Sequence, residues 1–160
     1  MMLPAKRLGL LQFTGKPLAL KNRRDVLRNR KTQKIILVNK GFMAAVGDYG
    51  NQLLVQKIAL LDSLQRAGFP RQLPIQVDRT TNIRLRVEFW LSTKQAQSDG
   101  SMPDFDNVYT AIVDMLKKIG VISDDRFLLC PVDSSELAGV DDPGRTVVEF
   151  FSDRSYRWRV

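Results

Sequence analysis

Two pairs of carboxylates frame the part of this chain best suited to chemistry. Asp104 and Asp106 lie in Pro103-Asp104-Phe105-Asp106-Asn107, and Asp124-Asp125 begins eighteen residues after Asp106. Clustered carboxylates offer oxygen alone, the donor that hard cations such as Mg2+ and Mn2+ prefer. A cation held this way polarises a phosphate and activates water. In a chain of formal charge +8, that points to phosphodiester chemistry on nucleic acid. The chain has no histidine and a single cysteine, Cys130. Imidazole catalysis, zinc sites built from Cys and His, and Cys/His nucleophile pairs are therefore excluded from the chain itself.

What lies between the pairs has to bring them together. Val108, Ile112, Met115 and Ile119 recur at helical spacing, which predicts a helix from about Asp106 or Asn107 to Lys118. Asp106 suits its N-cap, and Lys117, Lys118 and Gly120 suit its end. A helix of about twelve residues is roughly 18 Å long, so a chain running straight on would keep the pairs apart. Gly120-Val121-Ile122-Ser123 supplies a turn and an extended segment, at ~3.4 Å per residue. Asp125 is thus expected to return along the helix towards Asp106. Each pair also has a plainer reading: Asp104 and Asp106 cap a helix N-terminus, and Asp124-Asp125 are turn residues.

The remaining elements form the frame. Arg7 to Phe13 reads as a first strand and Ile35 to Val38 as a second; the charged stretch Leu20 to Lys34 between them reads as an exposed loop, with room for a helical turn or a hairpin arm. A helix is expected from about Tyr49 to Ala67, with Leu53, Leu54, Ile58, Leu61 and Leu64 on one face, Gly68 as cap and Pro70 beyond it. Ile83 to Leu91 alternates as a half-buried strand, and Ile75 to Asp78 extends or precedes it. Phe127 to Val132 and Arg145 to Phe151 read as two more strands around the loop Asp133 to Gly144. The order predicts one α+β domain over 1–160, a small mixed β-sheet packed with two main helices.

Charge is concentrated. Residues 1–40 hold eleven Lys/Arg and one acid, for a net of +10, and the rest of the chain nets −2. Lys21, Arg23, Arg24, Arg28, Arg30, Lys31 and Lys34 form a basic arm suited to DNA phosphates, which it would position without reading sequence. A solvated face is the plainer alternative. The segment Asp153 to Val160 interleaves aromatics with arginines; base stacking, a frayed tail and a tail packed on a partner copy all fit it. Trp90 is a candidate interface residue or one partly buried under a loop. Phe42 and Met43 read as ordinary packing, and Cys130 as a small buried hydrophobe. No apolar run approaches the ~20 residues that cross a bilayer. Met1 to Leu11 lacks the features of a signal peptide, and one cysteine fits a reducing cytoplasm.

The stretch PDFDNVYTAIVDMLKKIGVISDDRFL, Pro103 to Leu128, resembles the RusA-type Holliday-junction resolvases. Their pattern is a D-x-D-N box opening a helix, an Asp further along it, and a D-D pair after it. Asp104, Asp106 and Asn107 match the box, Asp114 the helix position, and Asp124 and Asp125 the pair; the strand IRLRVEFWL precedes them. The resemblance implies a homodimeric, Mg2+-dependent (or Mn2+-dependent) endodeoxyribonuclease acting on four-way DNA junctions, in a prokaryotic or phage setting. It implies Asp104, Asp106 and Asp125 as metal-binding catalytic carboxylates, Asp124 as a supporting ligand, and Asn107 as a hydrogen-bonding residue behind them. Thr110 stands where several members carry a functional lysine, and Lys94, Lys117 and Lys118 are the candidate replacements. A non-catalytic branched-DNA-binding relative and a basic RNA- or partner-binding module are the alternative readings.

Overall fold

The computed structural model describes residues 5–19, 25–28, 30–38, 40–97 and 103–159; the side chains of 25–28, 35–38 and 40 fall outside the description. The order is β1 (Lys6–Thr14), β2 (Asp25–Arg28), β3 (Ile35–Val38), α1 (Lys40–Arg66), β4 (Ile83–Leu91), α2 (Thr93–Ala96), α3 (Phe105–Lys118), β5 (Glu136–Val140) and β6 (Arg145–Ser152). Four strands form a mixed sheet in the order β1-β6-β4-β5; only the β4–β5 pair is parallel. β2 and β3 pair antiparallel as a separate hairpin, so the basic segment includes a hairpin arm. The architecture is the α+β arrangement that the sequence predicts, with the short α2 as a third helix.

Strand alternation builds the core. Ile83, Leu85, Val87, Phe89 and Leu91 point one way, each at most 1 % exposed. Register aligns Leu11, Val148 and Val87 in one row and Phe13, Thr146 and Phe89 in the next. Helices α1 and α3 cover that face, with Phe13 stacked on Tyr49 at 4.5 Å and Phe89 edge-on to Phe105 at 5.8 Å. Burying this apolar surface is the main driving force for the fold. On the opposite face Glu149 accepts from Arg7 and Arg86, and Arg86 also binds Glu88 and Ser134.

Helix α1 begins at Lys40, nine residues before the expected start. Gly41, Gly47 and Gly50 weaken the local helical signal by about 1 kcal/mol each. Phe42, Ala45 and Val46 overcome this by packing on the core. The buried face is Tyr49, Leu53, Leu60, Leu61 and Leu64, whereas Leu54 and Ile58 are 68 % and 62 % exposed. One residue along a helix is a 100° rotation, so positions 54 and 58 lie beside the stripe of 53, 60, 61 and 64 rather than on it. Met43 is also exposed.

The outer edge of β1 carries an unusual set of partners. Gln52 Oε1 accepts from Thr14 N–H at 2.7 Å and its Nε2 donates to Thr14 O at 2.9 Å. Gln56 does the same for Gln12, at 2.9 and 2.7 Å. One helical turn of α1 thus hydrogen-bonds the main chain of an edge strand.

The path after α3 departs from expectation. Phe127 to Val132 is not a ladder strand. It runs beside β4 through two backbone bonds, Leu129 N–H to Ile83 O and Val132 N–H to Leu85 O, both 2.9 Å. Pro131 has no N–H to add a bond between them. Pairing proper begins at Glu136, inside the expected loop. Cys130 is exposed rather than buried, because the segment lies at the sheet margin; its carbonyl accepts from Arg84 at 2.7 Å. Trp90 is covered by Arg145, 4.5 Å over its ring, and by the backbone at Gly139. Ile75 to Asp78 contributes a single parallel bridge, Ile75 to Ile122. No helix among the described residues is long and apolar enough to cross a membrane.

Candidate active site

Asp104, rather than Asp106, is the N-cap of α3. Its backbone is extended and its carboxylate accepts the Asn107 N–H at 3.0 Å. This satisfies one of the amides that a helix start leaves orphaned. The helix opens one or two residues earlier than the spacing suggests because Phe105 packs on Phe89 and pins the first turn to the sheet. Asp106 then sits in that first turn, where its charge complements the helix dipole. Asp106, Thr110 and Asp114 follow at four-residue steps, which puts them on one ridge of α3. Asp114 is about 12 Å down the axis from Asp106.

The far end of α3 turns back as the glycine predicts. Gly120 has φ +81°, its N–H donates to Lys117 O at 3.1 Å, and Val121 N–H donates to Leu116 O at 2.8 Å. This double closure is the Schellman arrangement, which favours glycine at the left-handed position. The next residues are fixed by Ile75–Val77: Ile75 N–H donates to Val121 O, Ser123 N–H to Ile75 O, and Val77 N–H to Ser123 Oγ. The chain therefore emerges at Asp124-Asp125 in a set direction, alongside α3.

Asp125 accepts from Lys117 Nζ at 3.1 Å. It lines an open cleft of about 280 Å3 with Tyr109, Thr110, Asp114 and Cys130. Burial, reinforced by the Asp125 charge and opposed by Lys117, raises the Asp114 pKa above the ordinary carboxylate value. Lys117 is raised in turn, chiefly by its hydrogen bond to Asp125. Asp124 is held by its own neighbours instead. It accepts the backbone N–H groups of Arg126 and Asp125 and the Arg126 guanidinium, and these bonds, led by the Arg126 amide, lower its carboxyl to about 2. Burial pushes the Tyr109 hydroxyl up to about 12, so it meets the cleft as a neutral phenol.

The structure thus brings Asp125 onto the α3 ridge at the level of Asp114, and Asp106 and Asp104 stand further up the helix. The donor type suits a hard cation, since carboxylate oxygen is what Mg2+ takes. The grouping is incomplete: among the described residues, no three Asp, Glu or Cys side chains come together as a group able to hold a metal ion. Lys117 holds the charge of Asp125 instead. In the sequence Asp114 has a place only in the motif. Its four-residue spacing from Thr110 and Asp106 was the available signal for a place in the cleft.

Of the proposed phosphate-binding residues, Arg30, Lys31 and Lys34 are exposed at the β2–β3 turn. Arg28 is placed by its backbone in β2, and Lys21, Arg23 and Arg24 lie outside the described residues. Lys94 and Lys118 are exposed, and only Lys117 of the three candidate cations is paired to a cleft carboxylate. A second cavity, lined by Leu64, Phe69, Pro70, Pro74 and Ile75, offers no acid, base or cation in its wall. Compared with known proteins, the chain matches no family model and no curated protein sequence.

Proposed function

We propose that this chain is a Mg2+-dependent, structure-selective endodeoxyribonuclease that resolves four-way DNA junctions by paired phosphodiester hydrolysis. It would serve recombination and repair as a homodimer in a prokaryotic or phage-infected cytoplasm. The supporting observation is the return of Asp125 onto the α3 ridge, beside Asp114 and Lys117, in a cleft open to a large substrate. The RusA-like motif and the basic first quarter of the chain support the same reading.

Asp104, Asp106 and Asp125 would hold the metal, with Asp124 in support and Asn107 fixing the turn behind them. Bound there, Mg2+ would supply positive charge at the scissile phosphate and at the attacking water. Assembly of that group requires Lys117 to give up Asp125, because a cation and an ammonium compete for the same carboxylate oxygens, and it requires the Asp124-Asp125 segment to move up α3, since about 12 Å of axis separates the level of Asp114 from Asp106. Lys117, once released, is placed to meet a DNA phosphate. This gives the chain a cation at the cleft although Thr110 carries none. With no histidine in the chain, a cleft carboxylate would accept the proton of the attacking water.

The test is incubation of a labelled four-way junction with Mg2+ or Mn2+, using wild type, Asp106→Asn, Asp125→Asn and Lys117→Met. Wild type should cut two like strands at symmetric positions, and each Asn variant should lose at least ~100-fold. Lys117→Met should cut more slowly yet gain more thermal stability from Mg2+ than wild type does. Unaltered cutting by both Asn variants would sink the carboxylate assignment. Thr110 and the incomplete carboxylate group favour one rival, a relative that grips branched DNA without cutting it. Tight junction binding with no nicks under either metal would select that rival.

A further inference from the structure

The segment after β6 does not fray; it is fastened to the body. Asp153 N–H donates to Asn82 O at 2.9 Å, and Tyr156 N–H donates to Asp153 O at 3.2 Å. The buried Asn82 amide grips the segment from both ends: Nδ2 donates to Tyr156 O at 3.2 Å, and Oδ1 accepts from Trp158 Nε1 at 3.1 Å. This places Trp158 edge-on to Phe127 at 5.5 Å and Tyr156 edge-on to Trp158 at 5.3 Å.

Three rings therefore step outward from the body to the surface, ending at the exposed Tyr156. Guanidinium groups surround them. Arg79 lies 5.3 Å over Phe127 and Arg126 lies 6.0 Å from the same ring. Arg154, Arg157 and Arg159 are exposed on the segment itself. The nearby acids are engaged: Asp124 with Arg126, Asp153 with Arg84 and Ser155, and Asp78 with Thr80 and Thr81. Arg126 joins this surface to the candidate site, because it contacts both Phe127 and Asp124.

A hydrophobic protein partner would favour apolar area with few charges at its centre. Five arginines around stepped aromatic rings fit a different occupant, one with flat π-faces and negative charge at short intervals. We propose that Tyr156, Trp158 and the arginines around them form a stacking platform for an unpaired base of a DNA strand at a branch point, with Arg126, Arg154 and Arg157 on the flanking phosphates. The inference rests on the DNA reading above and specifies how the substrate is held beside the cleft. A base in a continuous duplex keeps both its faces stacked, so the platform would discriminate a branch from linear DNA.

The test uses the full chain with a four-way junction carrying 2-aminopurine at the branch, a linear duplex of the same sequence, and single-stranded RNA. Wild type should change the 2-aminopurine fluorescence on binding. Tyr156→Ala should lose that change and weaken junction binding roughly tenfold. Tyr156→Phe, which keeps the ring, should restore both, and Arg157→Gln should weaken junction binding with a reduced salt dependence. Duplex affinity should be the same in wild type and both Tyr156 variants. Equal losses for junction and duplex, or none for either, would overturn the platform, as would tighter binding of the RNA. Nicking read in the same samples separates the two ideas: cutting that persists with no role for Tyr156 removes the platform alone, whereas no junction binding by wild type removes both.

Discussion

Asp153 sits where two tasks meet. It accepts from Arg84 at 3.0 Å, tying the segment after β6 to β4, and from Ser155 Oγ and N–H, closing the turn that leads to Tyr156. The Ser155 hydroxyl contributes most to lowering its pKa, Arg84 adds to this, and burial opposes both. A carboxyl whose folded pKa is depressed stabilises the fold above its unfolded value and loses that contribution as pH falls through the folded one. Asp153→Asn should therefore cost about 1–2 kcal/mol at pH 7, read as a Tm lower by a few degrees. In acid well below the ordinary carboxylate value the two proteins should converge. A gap of equal size at both pH values would show that the carboxylate charge contributes nothing. At this scale the sequence was readable where residue type alone decides, as in the absence of histidine. It was unreadable for Cys130, whose exposure follows from a sheet margin that no local pattern reveals.

Between α3 and its returning segment, Gly120 sets the direction. A Cβ there would meet nothing within 4 Å, so a substitution is penalised by backbone conformation alone. At φ +81°, Gly120→Ala should cost about 1–2 kcal/mol. It should also loosen Asp125 from Lys117, because the bonds of Val121 and Ser123 are set by the same turn. Chemical unfolding measures the first effect, and the fall in Mg2+-dependent nicking measures the second; a variant as stable as wild type would remove the turn from this role. The end of α3 was legible because Gly120 is a local signal. Its beginning was not, since Asp104 and Asp106 both suit a cap and the contact of Phe105 with Phe89 decides between them. The same limit hid the first nine residues of α1, where Gly41 and Gly47 argue against a helix that distant core contacts impose. β5 was missed because Leu137, Ala138 and Gly139 alternate too weakly to read as a strand, and β4 supplies their pairing.

At the level of the whole molecule, α1 leaves an apolar stripe uncovered. Leu54, Val55 and Ile58 are 68 %, 87 % and 62 % exposed and adjoin one another on the helix, with Met43 further along. Folded monomers seldom leave such a contiguous patch in water. In the proposed homodimer a second copy would cover this face about a two-fold axis, which would also give one cleft to each of two like strands. Val55→Glu should change monomer stability by less than about 0.5 kcal/mol, shift the sedimenting species from dimer to monomer, and turn paired cuts into single ones. A dimer that survives the substitution would place the interface elsewhere.

The two glutamines of α1 bear on how copies of this chain can meet. A bare edge strand is a template on which another chain can lay down a further strand, and repetition gives filaments. Gln52 and Gln56 spend their amides on the peptide groups of Gln12 and Thr14, so that row is already occupied. Growth of the sheet is closed on that side by the protein's own side chains. Association is left to the β5 side and to the faces of the molecule, and faces related by a two-fold axis make assemblies that stop at a fixed number.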